Sequence, residues 1–321
     1  MSSPASTLTA SLAPIAFVSR HDGSRWVEML SQTMPRECVT DDNMISDAVA
    51  MTVEIAIVAD PSPERLARYP NLKWVHSAWA GVERLVPIVA ARQLPLVRLV
   101  DPMLANTMAE AVLAWTLYLH RDMPAYAAQQ RQRVWKPHGY VAAGELTISL
   151  LGLGELGRAA AARLVDAGYR VTGWSQTAKE LDNVRSLTGE AGLRQALAEA
   201  NIVVLLLPLT AETQRILNAE RIALMREGAS LINFARGGVL DTTALLEALD
   251  DDRLNHAVLD VFDEEPLPTT SPLWNHQKIT VLPHISAPTN RVSASGIVAA
   301  NVKAYRETGA IPVVVDAARG Y

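Results

Sequence analysis

Residues 149–158 read SLLGLGELGR, Ser149 to Arg158, with glycines at 152, 154 and 157. The spacing is GxGxxG, which by itself also serves ordinary tight turns, so its flanks decide what it means. An apolar stretch of strand character, LTISLL, leads into it. The run RAAAARLVDAG leads out as a helix, with Gly168 where a glycine closes a helical C-terminus. Between a strand and a helix the three glycines have separate tasks. One permits the turn, the second lets a pyrophosphate approach the backbone, and the third packs the helix close on the strand. The helix start offers unpaired N–H groups and the positive end of its dipole to the phosphates. Gly152, Gly154 and Gly157, with Glu155 and Leu156 between them, form the expected dinucleotide loop. The loop lies near the middle of the chain, which leaves the first 145 residues to be explained.

The next strand, YRVTGWS (169–175), selects the dinucleotide. A NAD site ordinarily ends this strand on an acid that holds the ribose hydroxyls, about 20 residues after the glycines. Ser175 stands there, and no acid appears before Glu180. Ser175, Gln176, Thr177 and Lys179 offer hydroxyl and amide donors and one cation to a 2′-phosphate, so NADPH is the expected cofactor. NADH stays open as the alternative, because SQTAK also reads as an exposed loop beside a tolerant NAD site.

Outward from this unit, short apolar runs recur between turn residues: PIAFVSR (14–20), VEIAIVAD (53–60), LKWVHS (72–77) and LPLVRLV (94–100), then NIVVLLLPLT (201–210), ASLINFARG (229–237), HAVLDVFDE (256–264) and ITVLPHIS (279–286). They read as continuously apolar rather than alternating, the pattern of parallel strands covered on both faces. A helical segment runs over roughly 104–130, with Pro124 dividing or kinking it, and helices are expected at 191–199, 213–225 and 242–249. The last segment, 288–321, reads as helix plus a short IPVVV strand. The fold class is α/β, as two units on either side of residue 103 or so.

The bulk properties suit this. The 321 residues carry a net charge of −5, with 49% hydrophobic and 20% charged residues, so nothing favours a nucleic-acid partner. The single cysteine, Cys38, excludes an intrachain disulfide and a four-thiolate zinc site, and no metal set is picked out. The first 20 residues lack the plan of a secretory leader, and the longest apolar run is far too short to span a membrane. A soluble cytoplasmic protein is expected.

Three residues near strand ends carry the expected chemistry, since ligands of open α/β sheets sit outside the carboxyl ends of the strands. They are Arg236 in NFARGG, an acid in DVFDEEP (Glu264 and Glu265 both stand there) and His284 in VLPHIS. Arginine is a fixed fork for carboxylate and keto oxygens, and histidine moves a proton near neutral pH. A neighbouring carboxylate favours the imidazolium and keeps the acid form available. Asp260, an acid within the apolar VLDVF, needs a partner. His76 reads equally as a core or a hydrogen-bonding residue, His120 and His138 have no distinguishing context, and His256 and His276 read as loop residues.

The segments LKWVHSAWAGVERL, WKP, LGLGELG, LLLPLTAETQRILN, INFARGGVL, LDVFDEEPLPTTSPLWNHQKITVLPHISAPT and the ending VDAARGY together resemble the D-isomer-specific 2-hydroxyacid dehydrogenases, most of all their A-type glyoxylate/hydroxypyruvate reductase branch. The resemblance spans nearly the whole chain. It implies two Rossmann-like domains with a deep cleft between them. One is flavodoxin-like, substrate-binding and discontinuous (1–103 and 288–321); the other is an inserted NAD(P)-binding domain (104–287). It places the catalytic arginine on Arg236, the glutamate on Glu265, which directly precedes Pro266, and the histidine on His284. The substrate carboxylate falls to Ala80 and Gly81, with Trp79 beside them and Arg236 as a further ligand. The cofactor side takes Pro208 to Thr210, Ala235, Arg236 and the strand aspartate Asp260. Ser175 falls where the family carries its discriminating acid, which supports NADPH. The similar reductases follow that serine with arginines, whereas Gln176 follows here. Family members are usually homodimers through the helix after residue 103.

The expected function is NADPH-preferring reduction of small 2-keto acids, glyoxylate to glycolate and hydroxypyruvate to glycerate. Two rivals stand beside it: reduction of bulkier 2-keto acids such as phenylpyruvate, with Trp79 shaping the pocket, and a non-catalytic NAD(P)-sensing protein.

Overall fold

The computed structural model describes residues 13–317 and 319–320. Residues 1–12, the larger part of the stretch on which the reading of the leader rests, and Ala318 and Tyr321 of the VDAARGY ending lie outside the described residues. The chain forms two α/β units, one taking the residues up to Asp101 and those from Thr289 onward, the other spanning Pro102–Pro288.

In the first unit the strands are β1 (Ile15–Ser19), β2 (Val39–Asp41), β3 (Ile55–Ala59), β4 (Trp74–Ser77) and β5 (Leu96–Val97). They lie parallel in the order β2-β1-β3-β4-β5. The helices α1 (Ser24–Thr33), α2 (Asp47–Ala50), α3 (Pro63–Ala67) and α4 (Val86–Ala90) connect them. β1 and β3 are buried at every position, as uninterrupted apolar sequence demands when both faces are covered.

The second unit starts with α5 (Pro102–His120) and α6 (Met123–Gln132). Seven parallel strands follow: β6 (Thr147–Leu151), β7 (Arg170–Trp174), β8 (Val184–Leu187), β9 (Ile202–Leu205), β10 (Ala229–Asn233), β11 (Leu254–Leu259) and β12 (Ile279–Val281). Their order is β12-β11-β10-β9-β6-β7-β8, so the strand order reverses between β6 and β9, the switch point at which doubly wound sheets bind ligands. On one face α5 packs with α7 (Glu155–Asp166), where Ala160 and Ala161 meet Met108, Ala109 and Val112. On the other lie α8 (Gly189–Glu199), α9 (Ala219–Leu224) and α10 (Thr242–Asp250), with Leu193, Leu197, Ile222, Leu245 and Leu249 in the core. The chain then returns to the first unit as α11 (Arg291–Thr308), whose Ala294, Val298 and Val302 join the core beside α1. No helix among the described residues is long and apolar enough to cross a membrane.

The helical segment expected over 104–130 is divided next to its proline, as expected: α5 and α6 are separated at Arg121 and Asp122, with Pro124 in the first turn of α6, where proline is tolerated. Three sequence expectations are corrected. The helix expected over 213–225 is only α9, because Thr213 turns back to cap the preceding loop. The IPVVV segment is not a strand: Val313 and Val314 face solvent, and Val315 makes a single backbone bond, to the Leu96 carbonyl. His256 is not a loop residue but a buried member of β11, bonded to Thr280 Oγ1 at 2.9 Å.

Burial pushes His76 and His256 down to about 4 from an ordinary 6.5. Both stay neutral in the fold while the unfolded chain takes up protons below pH 6.5, so their contribution to stability is present above 6.5 and is lost as pH falls toward 4. The melting temperature is expected to drop between pH 7 and pH 5. His256→Gln, which keeps a polar partner for Thr280 and removes the titration, should make that drop smaller. An equal drop in the variant would contradict the assignment.

Candidate active site

The glycine loop follows β6, where Gly152 N–H bonds to the Trp174 carbonyl at 2.8 Å. Gly152 has φ +112°, and a Cβ there would stand 2.7 Å from the Leu206 carbonyl oxygen beyond β9. A Cβ on Gly157 would fall 1.9 Å from the Gly152 oxygen. These two positions admit no side chain, for reasons internal to the fold. At Gly154 an added Cβ would meet nothing within 4 Å, so the space there is left for something other than this loop. No side chain caps the start of α7, which keeps its first N–H groups available to an anion. Glu155 and Leu156 fill the first turn of that helix. The glycine geometry fits a pyrophosphate.

Beyond β7, Ser175 N–H bonds to the Leu187 carbonyl at 3.2 Å and its hydroxyl donates to the Thr177 carbonyl at 2.7 Å. The loop is thereby tied to β8, leaving Gln176 and Thr177 exposed and Lys179 partly so. Past β9, the Pro208–Thr210 loop is locked by Thr213, whose hydroxyl donates to the Pro208 carbonyl at 2.6 Å and accepts Thr210 N–H at 2.8 Å.

Past β10 the backbone is shaped by Asn233, fully buried at the strand's last position. Its side-chain oxygen accepts Ala235 N–H and its amide donates to the Arg236 carbonyl, each at 3.1 Å. Arg236 also donates through Nη1 to the Ala235 carbonyl at 2.6 Å. A Cβ on Gly237 would lie 2.1 Å from the Phe262 carbonyl carbon. Only glycine lets the arginine loop pack directly on the segment that leads into Glu265.

Glu265 is held from two sides: Oε1 accepts Phe262 N–H at 2.9 Å and Oε2 accepts the His284 Nδ1 proton at 2.7 Å. With Nδ1 committed, Nε2 is the nitrogen left for chemistry. The imidazole is 52% exposed, so it is reachable. His284 has φ +55°, a left-handed conformation that costs a non-glycine residue roughly 1–3 kcal/mol. Asp260, buried at the end of β11, accepts Ile285 N–H at 2.7 Å and Ser286 N–H at 2.9 Å. Two such charge-assisted bonds, about 1.5–3 kcal/mol each, outweigh the strain. Asp260, expected on the cofactor side, spends both oxygens on the histidine loop.

In the first unit, Trp79, Ala80 and Gly81 follow β4. Trp79 is partly exposed, and the N–H groups of Ala80 and Gly81 meet no acceptor among the described residues. Asn233 and Thr213 are not among the residues expected from the sequence. The signal for Asn233 is an amide closing the apolar run SLIN, which needs partners when buried; Thr213 leaves no comparable mark.

The family model described as D-isomer specific 2-hydroxyacid dehydrogenase, NAD binding domain, matches residues 113–286. The chain is 37% identical over 307 residues, 94% of its length and 97% of the relative's, to glyoxylate/hydroxypyruvate reductase A of Serratia proteamaculans (strain 568). Among solved structures it is similar to a D-isomer specific 2-hydroxyacid dehydrogenase from Xanthobacter autotrophicus Py2 in complex with NADPH and MES, at TM-score 0.91 and 38% identity, covering 97% of this chain and 100% of that one. It is also similar to the NADPH-dependent glyoxylate/hydroxypyruvate reductase of Sinorhizobium meliloti in complex with NADP and sulfate, at TM-score 0.87 and 31% identity, covering 96% and 100%.

Gly154→Ala is expected to leave the melting temperature nearly unchanged while weakening NADPH binding, whereas Gly157→Ala should destabilise the fold itself by about 1–3 kcal/mol, the range for overpacking. Calorimetry and NADPH fluorescence titration separate the two. Equal loss of stability in both variants would contradict the division of roles.

Proposed function

Since the chain belongs to the D-isomer specific 2-hydroxyacid dehydrogenase family, NAD(P)-dependent oxidoreductases, we propose that it reduces glyoxylate and hydroxypyruvate with NADPH, yielding glycolate and D-glycerate. The observation that carries this is the Glu265–His284 pair, a carboxylate bonded at 2.7 Å to one nitrogen of an accessible imidazole. NADPH, when bound, supplies the hydride that reaches C2 of the keto acid. The Arg236 guanidinium grips the carboxylate and carbonyl oxygen and draws charge toward that oxygen. His284 gives its Nε2 proton to the oxygen as it becomes a hydroxyl, and Glu265 holds the ring in place and stabilises the imidazolium form before transfer. The N–H groups of Ala80 and Gly81 receive the substrate carboxylate, with Trp79 beside it.

The cofactor side comprises Gly152, Gly154, Glu155, Leu156 and Gly157 at the pyrophosphate, and Pro208, Thr210 and Ala235 along the nucleotide. Ser175, Gln176, Thr177 and Lys179 take the 2′-phosphate. Without an arginine in this group the preference for NADPH rests on neutral donors and one lysine, so NADH is the weaker second cofactor. The protein works in the cytoplasm as a homodimer. Supporting the dimer are apolar side chains left open on α5, α6 and the segment after them: Leu117, Met123, Val134, Tyr140, Val141 and above all Trp135, 99% exposed.

Steady-state assays with glyoxylate, hydroxypyruvate, pyruvate and phenylpyruvate, each with NADPH and NADH, test the proposal. The highest kcat/KM is expected for the first two with NADPH. A maximum at phenylpyruvate would move the substrate to bulkier acids, and no substrate-dependent oxidation would leave a binding protein. His284→Ala is expected to lower kcat about 10²–10⁴-fold, the range for a lost general acid, with NADPH affinity retained.

A further inference from the structure

β4 ends on Ser77, which is 3% exposed. Its hydroxyl donates to the Trp79 carbonyl at 2.8 Å and accepts Trp79 N–H at 3.1 Å, closing the turn in both directions. The Trp79 carbonyl also accepts Leu99 N–H at 3.3 Å, and Ala78 N–H continues the ladder to the Val58 carbonyl at 2.8 Å. The backbone is thus fixed up to Trp79. The next three N–H groups, of Ala80, Gly81 and Val82, have no acceptor among the described residues. Successive N–H groups in a turn conformation make an anion-receiving concavity, and their mutual repulsion favours other conformations unless the turn is held.

A second layer stands behind the serine. His76, fully buried, donates through Nδ1 to the Ser77 carbonyl at 2.8 Å and accepts the Asn301 amide at Nε2 at 2.9 Å. Only the neutral ring protonated on Nδ1 makes both bonds, and burial keeps it neutral by pushing it down to about 4. Asn301 lies on α11, so the returning C-terminal helix supports the turn through the histidine.

We infer that Ser77 is a positioning residue for the substrate: its hydroxyl, backed by His76 and Asn301, holds the turn whose N–H groups at Ala80, Gly81 and Val82 receive the keto-acid carboxylate. This rests on the proposed reduction of 2-keto acids. Ser77 touches neither substrate nor cofactor; it acts by keeping three donors convergent before the carboxylate arrives, so its loss falls on substrate binding more than on the chemical step.

The test compares the full-length wild type with Ser77→Ala and Ser77→Thr, measuring KM and kcat for glyoxylate and hydroxypyruvate and, separately, the Kd for NADPH by fluorescence. Ser77→Ala is expected to raise KM for both acids about tenfold, the loss of a hydrogen-bonded brace, with kcat changed less and NADPH affinity unchanged. Ser77→Thr, which keeps the hydroxyl, should return KM to within roughly threefold of wild type, since the same bonds can re-form. A KM for Ser77→Ala within roughly twofold of wild type, below the worth of one such bond, would overturn the brace. So would a Thr variant as impaired as the Ala variant, or a parallel loss of NADPH affinity. Wild-type protein that oxidises no NADPH with either acid would overturn the proposed function along with it.

Discussion

The hydrogen bond between Glu265 Oε2 and His284 Nδ1 is the constraint around which the site is built. It requires His284 to sit in a left-handed backbone conformation on the loop after β12, and it requires Glu265 to be turned back toward its own chain. Each demand is met separately: Phe262 N–H holds Glu265, and Asp260 holds the two residues after the histidine. Without Asp260 the loop would relax toward ordinary backbone angles and carry the imidazole away from its carboxylate. The buried aspartate therefore bears on the position of the His284 imidazole although it accepts only from backbone.

Sheet topology explains how residues this distant in sequence come to one edge. β10, β11 and β12 are parallel neighbours, so their carboxyl ends emerge on one edge of the second unit. Arg236, Asp260 and His284 follow those ends in order. Gly237 removes the side chain that would separate the first loop from the second. The same edge carries the glycine loop after β6 and the Thr213-locked loop after β9. The glycine loop and the loops that carry Arg236, Asp260 and His284 thus leave one sheet edge, and the fold needs no extra element to join them.

How much of this was legible in the sequence depended on the kind of constraint. The glycine loop was readable because its contacts are local: Gly157 must clear the Gly152 oxygen five residues back. β1 and β3 were readable because burial on both faces forces apolar sequence. β2 and β8, with Thr40, Asp41, Arg185 and Ser186 among their few residues, lack that signature and were not seen. IPVVV has the composition of a strand but lies outside the sheet, where Val313 stays in solvent. Arg236, Glu265 and His284 could be joined only through family resemblance, since no spacing rule links side chains so far apart. The small polar residues Ser77, Asn233 and Thr213 were missed for another reason: each closes a turn whose geometry exists only in the folded chain.

The proposed reduction stands on direct hydride transfer to one face of C2 of a 2-keto acid, with a histidine protonating the oxygen. The most direct test is reduction of hydroxypyruvate by NADPH carrying deuterium at both C4 positions, in ordinary water, with the product examined by mass spectrometry and chiral chromatography. The product expected is D-glycerate with one deuterium on C2. Glycerate without deuterium at C2, or the L isomer, would contradict it.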